Sequence, residues 1–307
     1  MAPSHNIKPG DTIGVIAATA PAEPERFKHG VQYLEQRGFK VKSVLNPTAG
    51  YGKKMFLFGS DTPVRRASGL QKLFADKEVK AIIATRGAYG SAELLPFLDF
   101  DLLKRNKKPL IGFSDITALL VPLSLKAGCP VVHGPVIEFA FARAFGGDEQ
   151  SIAAIDTLLK YLSGENRDPL SSAKLTHLNS NRECKGQVIG GNLSILISLL
   201  GTKWQPKLKG KILFIEEIDE APYRVHRAFL QLSQAGFFKD VSGVLLGEFT
   251  NCIHPKGLGP TIDDVFRDIF GRFKVPVAKG LPCGHGKANL PLPFAEAVVS
   301  GPSITFT

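Results

Sequence analysis

"LIGFSDITAL", residues 110–119, decides the fold. Leu110 and Ile111 end a short apolar run, Gly112 and Phe113 lead into Ser114 and Asp115, and from Ile116 the apolar residues take helical spacing. That is a strand, a sharp turn and a helix, one half of a β-α-β unit. The pattern repeats on both sides. Strands are expected at "TIGVIAAT" (12–19), "FKVKSVL" (39–45), "VKAIIAT" (79–85), "PLIGF" (109–113) and "PVVHG" (130–134). Helices are expected at 24–38, 62–76 and 116–126; the first puts Phe27, Val31 and Leu34 on one face, and Thr62 and Pro63 open the second. Such alternation predicts an α/β fold, a parallel sheet with helices on both faces.

Further along, residues 148–164 form an amphipathic helical pattern, and residues 165–182 turn polar and lose all period. A second α/β region follows, with strands at 184–191, 211–217 and 242–249 and a closing hairpin at 296–307 that turns at Gly301 and Pro302. With 307 residues and roughly 150 per domain, the chain divides into an amino-terminal domain 1–164, a linker 165–182 and a carboxy-terminal domain 183–307.

Hydrophobic residues make up 44% of the chain, enough for a sizeable core. No uncharged apolar run reaches the ~18 residues of a membrane span. "MAPSHNIKPGD" lacks the basic start and apolar stretch of a secretory leader, so a cytoplasmic location is expected. The cysteines, Cys129, Cys184, Cys252 and Cys283, form no C-x-x-C pair and read as reduced thiols; a metal site is not indicated. The net charge of +10 is dispersed, with "KRNKK" (104–108) and "KLKGK" (207–211) as its densest clusters. No aromatic-basic stripe accompanies them, so nucleic acid is not expected as a partner.

In open parallel sheets, ligands bind beyond the carboxyl ends of the strands. Ser114 follows one such end, Glu216 and Glu217 lie at another, and His285 follows a third in "CGHGK". Serine, carboxylate and imidazole are the parts of a nucleophilic triad. The hydroxyl needs a base, imidazole titrates near neutrality, and a carboxylate orients it. Adjacent strand residues face opposite ways, so only one of Glu216 and Glu217 can reach His285. "RGAYG" (86–90) follows another strand and has the glycines that bring backbone N–H groups close to a ligand. Each feature has a plainer reading. Taken alone, Ser114 reads more readily as a helix N-cap than as a nucleophile, Asp115 as a first-turn acid, "GGN" (190–192) as a turn with Asn192 capping, and His285 as a surface loop residue. Ser114 also lacks the second glycine of the G-x-S-x-G elbow.

Nearly the whole chain resembles the LD-carboxypeptidase family, which includes the immunity peptidases that hydrolyse microcin C. The collinear blocks are "IKPGDTIGVIA", "RRASGLQKLFAD", "VKAIIATRGAYGSAELLPFLD", "KPLIGFSDITAL", "VVHGP", "GGNLSIL", "ILFIEEIDEAPYRVHRAFLQL", "GVLLGEF" and "GLPCGHG". The resemblance implies a flavodoxin-like amino-terminal domain, a carboxy-terminal α/β swivelling-type domain, and a serine peptidase with no metal and no cofactor. It implies Ser114 as nucleophile, Glu216 as orienting acid and His285 as base, with oxyanion donors at Asp115 N–H and near Gly87 and Ala88. Ala88 stands where the family usually has glycine. The implied reaction removes D-alanine from a murein tetrapeptide in the cytoplasm, and a homodimer is implied. Arg86 and Arg224 are candidates for the terminal carboxylate, and Glu220 for a substrate amino group. Cleavage of acyl-adenylate antibiotics is the alternative substrate class, and a non-catalytic small-ligand binder the alternative function.

Overall fold

The computed structural model describes residues 6–53, 57–254, 257 and 259–307. The first five residues, part of the stretch read as lacking a leader, lie outside these. The chain forms two compact units. One runs to Asn166 and takes in Leu290–Pro293; the other comprises Arg167–Asn289 and Phe294–Thr307.

The first unit holds β1 (Thr12–Ile16), β2 (Lys40–Ser43), β3 (Val79–Ala84), β4 (Leu110–Gly112) and β5 (Val131–His133), joined by β11 (Leu292–Pro293) from far along the chain. Their order is β11-β5-β4-β3-β1-β2. All pairs are parallel except β11 with β5, where Leu292 faces His133. The order 2-1-3-4-5 is the flavodoxin-like winding. Period-2 alternation sends Ile13, Val15, Ala81, Ile83, Ile111 and Val132 to one face, where they pack on Leu34, Phe141, Ile155 and Leu158. Burial on both faces explains why these strands read as continuous apolar runs.

The flanking helices start and stop where local chemistry directs. Thr62 accepts from Arg65 N–H and Pro63 opens helix Pro63–Ala75. Asp148 caps helix Glu149–Ser163, which Gly164 ends in a left-handed conformation. The helix expected at 116–126 is less regular. A tight 3-10 turn Ser114–Ile116 leads into α-helix Thr117–Pro122 and a wider π turn Leu123–Ala127. Pro122 lies inside this run and brings no N–H to the ladder.

The second unit holds β6 (Thr176–His177), β7 (Cys184–Asn192), β8 (Ile212–Ile218), β9 (Gly243–Thr250), β10 (Val277–Lys279), β12 (Glu296–Ser300) and β13 (Ser303–Phe306), in the order β13-β12-β7-β8-β9-β10-β6. The central four are parallel and the flanks antiparallel. Helices Pro222–Gln234 and Ile262–Phe270 meet through aromatic side chains, with the Phe229 and Phe270 ring centres 5.0 Å apart. Two features differ from the sequence expectation. The polar stretch 165–182 contributes β6, which pairs with β10, and Leu290–Pro293 returns to the first unit because its backbone completes the edge at β5.

Candidate active site

In the first unit the chain leaves β4 through Phe113, which is extended (φ −152°, ψ −174°), and turns at Ser114 with φ 61°. A left-handed serine is a strained state that surrounding structure must hold in place. The turn therefore has the shape of a nucleophile elbow although its second glycine is absent. Gly112 makes the room alone. A Cβ there would lie 2.7 Å from Ile116 Cγ2, so the helix folds back on β4 through the missing side chain. The N-cap reading of Ser114 does not hold. Phe113 occupies the capping position, and no side chain caps the turn.

The "RGAYG" loop lies against this turn. A Cβ on Gly87 would come 2.7 Å from Ser114 Cβ and 2.9 Å from its Oγ, so only glycine lets the backbone approach the hydroxyl. Ala88 has φ 79°. The loop opens the 3-10 turn Ser91–Phe97. The Asp115 side chain is buried and accepts from Ser91 N–H at 2.8 Å, which ties the two segments together. Burial pushes the Asp115 carboxyl pKa up, against the pull of Ser91.

In the second unit Glu216 and His285 meet. His285 Nδ1–H donates to Glu216 Oε2 at 2.6 Å, with the Glu216 side chain wholly buried and that of His285 12% exposed. This bond fixes the tautomer and leaves Nε2 as the lone-pair nitrogen. Burial works to lower the His285 pKa, and the hydrogen bond and charge of Glu216 outweigh it, so the net direction is up. Glu217 faces the other way. Its Oε1 accepts from Asn192 Nδ2 at 2.8 Å and its Oε2 from Ser194 N–H at 2.9 Å, where it fastens the start of helix Leu193–Ser198. Alternation along the strand turns the two apart, and the pairing of β8 with β9 shifts register at this point.

The histidine loop has supports that the sequence reading missed. Glu248 Oε2 accepts from Gly286 N–H at 2.8 Å, and Asn289 Oδ1 accepts from Gly284 N–H at 3.1 Å. A Cβ on Gly286 would collide with the Glu248 carboxylate. The glycines around His285 were the available signal; Glu248, in "GVLLGEF", resembles any strand-end acid. Cys283 is buried and its thiol pKa is raised well above the ordinary value, so it is a packing residue beside the site.

The three substrate-contact candidates are differently placed. In the first unit Arg86 Nη1 pairs with the buried Glu138 at 3.2 Å and donates to Pro21 O at 3.3 Å. Its guanidinium carbon lies 5.7 Å from the Phe139 ring centre. In the second unit Glu220 and Arg224 pair with each other at 3.7 Å, with Arg224 largely exposed. Among the described residues no cluster of ligating side chains fits a metal ion.

Comparison with known proteins joins these observations. Residues 13–134 match the LD-carboxypeptidase N-terminal domain, and residues 185–299 match the LD-carboxypeptidase C-terminal domain. A Bacillus subtilis protein named "probable murein peptide carboxypeptidase" is 32% identical over 95% of this chain and 90% of its own. The solved structure of a microcin C7 self-immunity protein, an inactive mutant in the apo state, superposes with a TM-score of 0.84 at 26% identity, covering 100% of this chain and 98% of that one. A muramoyltetrapeptide carboxypeptidase from Oxalobacter formigenes gives 0.77 at 28% identity over 95% and 96%. With both units matched in order and relatives alike over almost their full length, this chain belongs to the LD-carboxypeptidase family.

Proposed function

We propose that the chain is a serine carboxypeptidase that hydrolyses the L,D-peptide bond of murein tetrapeptides and releases the terminal D-alanine. Ser114 Oγ attacks the carbonyl carbon, and His285 Nε2 takes its proton. The buried Glu216 stabilises the resulting imidazolium. Backbone N–H groups of Asp115 and the Gly87–Ala88 segment receive the oxyanion. The imidazolium gives that proton to the D-alanine nitrogen as the C–N bond breaks, and the acyl-enzyme is then hydrolysed by a water that the neutral His285 deprotonates. The observation that carries this reading is the His285–Glu216 hydrogen bond, in which a wholly buried carboxylate orients the imidazole through Nδ1 and raises its pKa. The left-handed Ser114, seated against Gly87, supports it from the other unit. Glu220 and Arg224 are the better candidates for the charged ends of the substrate, since their pair is long and open to solvent whereas Arg86 is held closer by the buried Glu138.

We place the reaction in the cytoplasm, in cell-wall recycling, and assign the working form as a homodimer. The free buried cysteines suit a reducing compartment. No described helix is long and apolar enough to cross a membrane. Purified protein incubated with murein tetrapeptide is expected to release D-alanine, followed by mass spectrometry, and Ser114→Ala to lose about 10³-fold or more of the rate. Release of D-alanine by Ser114→Ala at the wild-type rate removes the mechanism. Light scattering on an eluting column checks the dimer. Processed acyl-adenylate antibiotics are the second substrate class to test on the same triad, because a microcin C7 self-immunity protein is among the structural neighbours. Competition between the two substrates in one vessel ranks them.

A further inference from the structure

The loop that follows β3 is fastened more heavily than its turn requires. Ser91 Oγ–H donates to Asp115 O at 2.6 Å, and Ser91 N–H donates to Asp115 Oδ2 at 2.8 Å, both within the buried interior. One residue is thus bound twice to the neighbour of Ser114. One residue earlier, Gly90 O accepts from Arg66 Nη1 at 3.0 Å. Arg66 is 1% exposed and belongs to helix Pro63–Ala75. Its Nη1 also donates to Ala18 O at 2.6 Å, its Nε to Asp61 O at 2.9 Å, and its Nη2 to Glu93. A guanidinium buried this deeply is costly, and an apolar side chain would avoid that cost. What this one achieves is to join the carboxyl ends of β1 and β3 at fixed spacing, with its planar fork satisfied by backbone on three sides.

We infer that Ser91 and Arg66 are positioning residues for the oxyanion site, holding the Gly87–Ala88 backbone in register with Ser114 Oγ. The inference rests on the serine hydrolase reading and deepens it. Ala88 sits in a left-handed conformation between these anchors and Arg86, and it stays there only while both ends are held. An N–H that stabilises charge developing in the transition state affects turnover and leaves ground-state binding nearly alone. Displacement of about 1 Å is enough to cost about 10²-fold.

The test compares wild type, Ser114→Ala, Ser91→Ala and Arg66→Lys, each checked by circular dichroism. Two measurements are made: kcat and KM for murein tetrapeptide, and the rate and end-point stoichiometry of labelling by a fluorophosphonate. The expected result is kcat and labelling rate both lower by about tenfold or more in Ser91→Ala and Arg66→Lys, with KM within about twofold and labelling still reaching one per chain. A merely structural role gives a different signature: fewer sites labelled, each at the wild-type rate. That outcome, or rates within about twofold of wild type, overturns the inference. Should Arg66→Lys fail to fold, Ser91→Ala decides alone, since it removes a single oxygen. If wild-type turnover and labelling do not depend on Ser114, the hydrolase reading falls and this inference with it. If they do and the variants behave as wild type, only the inference falls.

Discussion

Ser114 and Gly87 are matched at the level of atoms. Gly87→Ala would drive a methyl to within 2.7 Å of Ser114 Cβ, so the hydroxyl must move. The expected outcome is an intact circular dichroism spectrum with fluorophosphonate labelling slowed by about 10²-fold. Ala88 tests the same loop in the other direction. Its left-handed backbone costs about 1–2 kcal/mol relative to glycine, and glycine gives back part of that through unfolded-state entropy. Ala88→Gly is therefore expected to leave stability unchanged or raise it by up to ~1 kcal/mol, read from the urea midpoint. At His285, burial favours the neutral ring and Glu216 more than offsets it. The proposed mechanism needs the neutral ring, so kcat/KM is expected to rise with pH through a pKa above the ordinary histidine value of about 6.5. Glu216→Gln removes the charge that raises it, which moves this limb to lower pH while rates fall by about 10⁴-fold. A limb that stays in place would show that another group governs the profile. At this scale the sequence offered residue types without their pairing. Glu216 and Glu217 are adjacent and identical, and only the hydrogen bonds made in the folded chain tell which one meets His285.

At the scale of elements, the strand-to-helix joint after β4 carries the design. Gly112 admits Ile116 into the space a side chain would fill. Gly112→Ala is expected to cost about 1–3 kcal/mol by overpacking, measured by urea denaturation. In the double variant with Ile116→Ala the two costs are expected to fall short of their sum, because the second change opens the space the first one fills. Strict additivity would mean the joint is not strained. Strands and most helices were legible here because apolar period and caps agree, as in Thr62-Pro63 and Asp148. The elbow was not legible. A G-x-S-x-G reading demands two glycines, whereas the backbone needs only that one of the two facing positions be empty. Nor was the 3-10 and π character on either side of helix Thr117–Pro122, where Ser114 turns left-handed before it and Pro122 brings no N–H to the ladder.

For the whole molecule, the sequence marked two α/β regions but not the thread that ties them. Leu292–Pro293 is too short for any period and contains a proline, yet it closes the β5 edge of the first sheet, and β12 and β13 after it cover β7 in the second. Truncation after Asn289 is expected to uncover an edge in each sheet at once. Hydrogen exchange should then rise at both β5 and β7; protection lost at only one of them would show that the tail serves a single unit. The same return strand sets a timetable for biosynthesis. A ribosome making about 5–20 residues per second exposes β5 roughly ten seconds or more before its partner strand emerges. During that interval the nascent amino-terminal half carries an open, apolar hydrogen-bonding rim, so chaperone capture of the unfinished chain matters most when translation stalls short of residue 293.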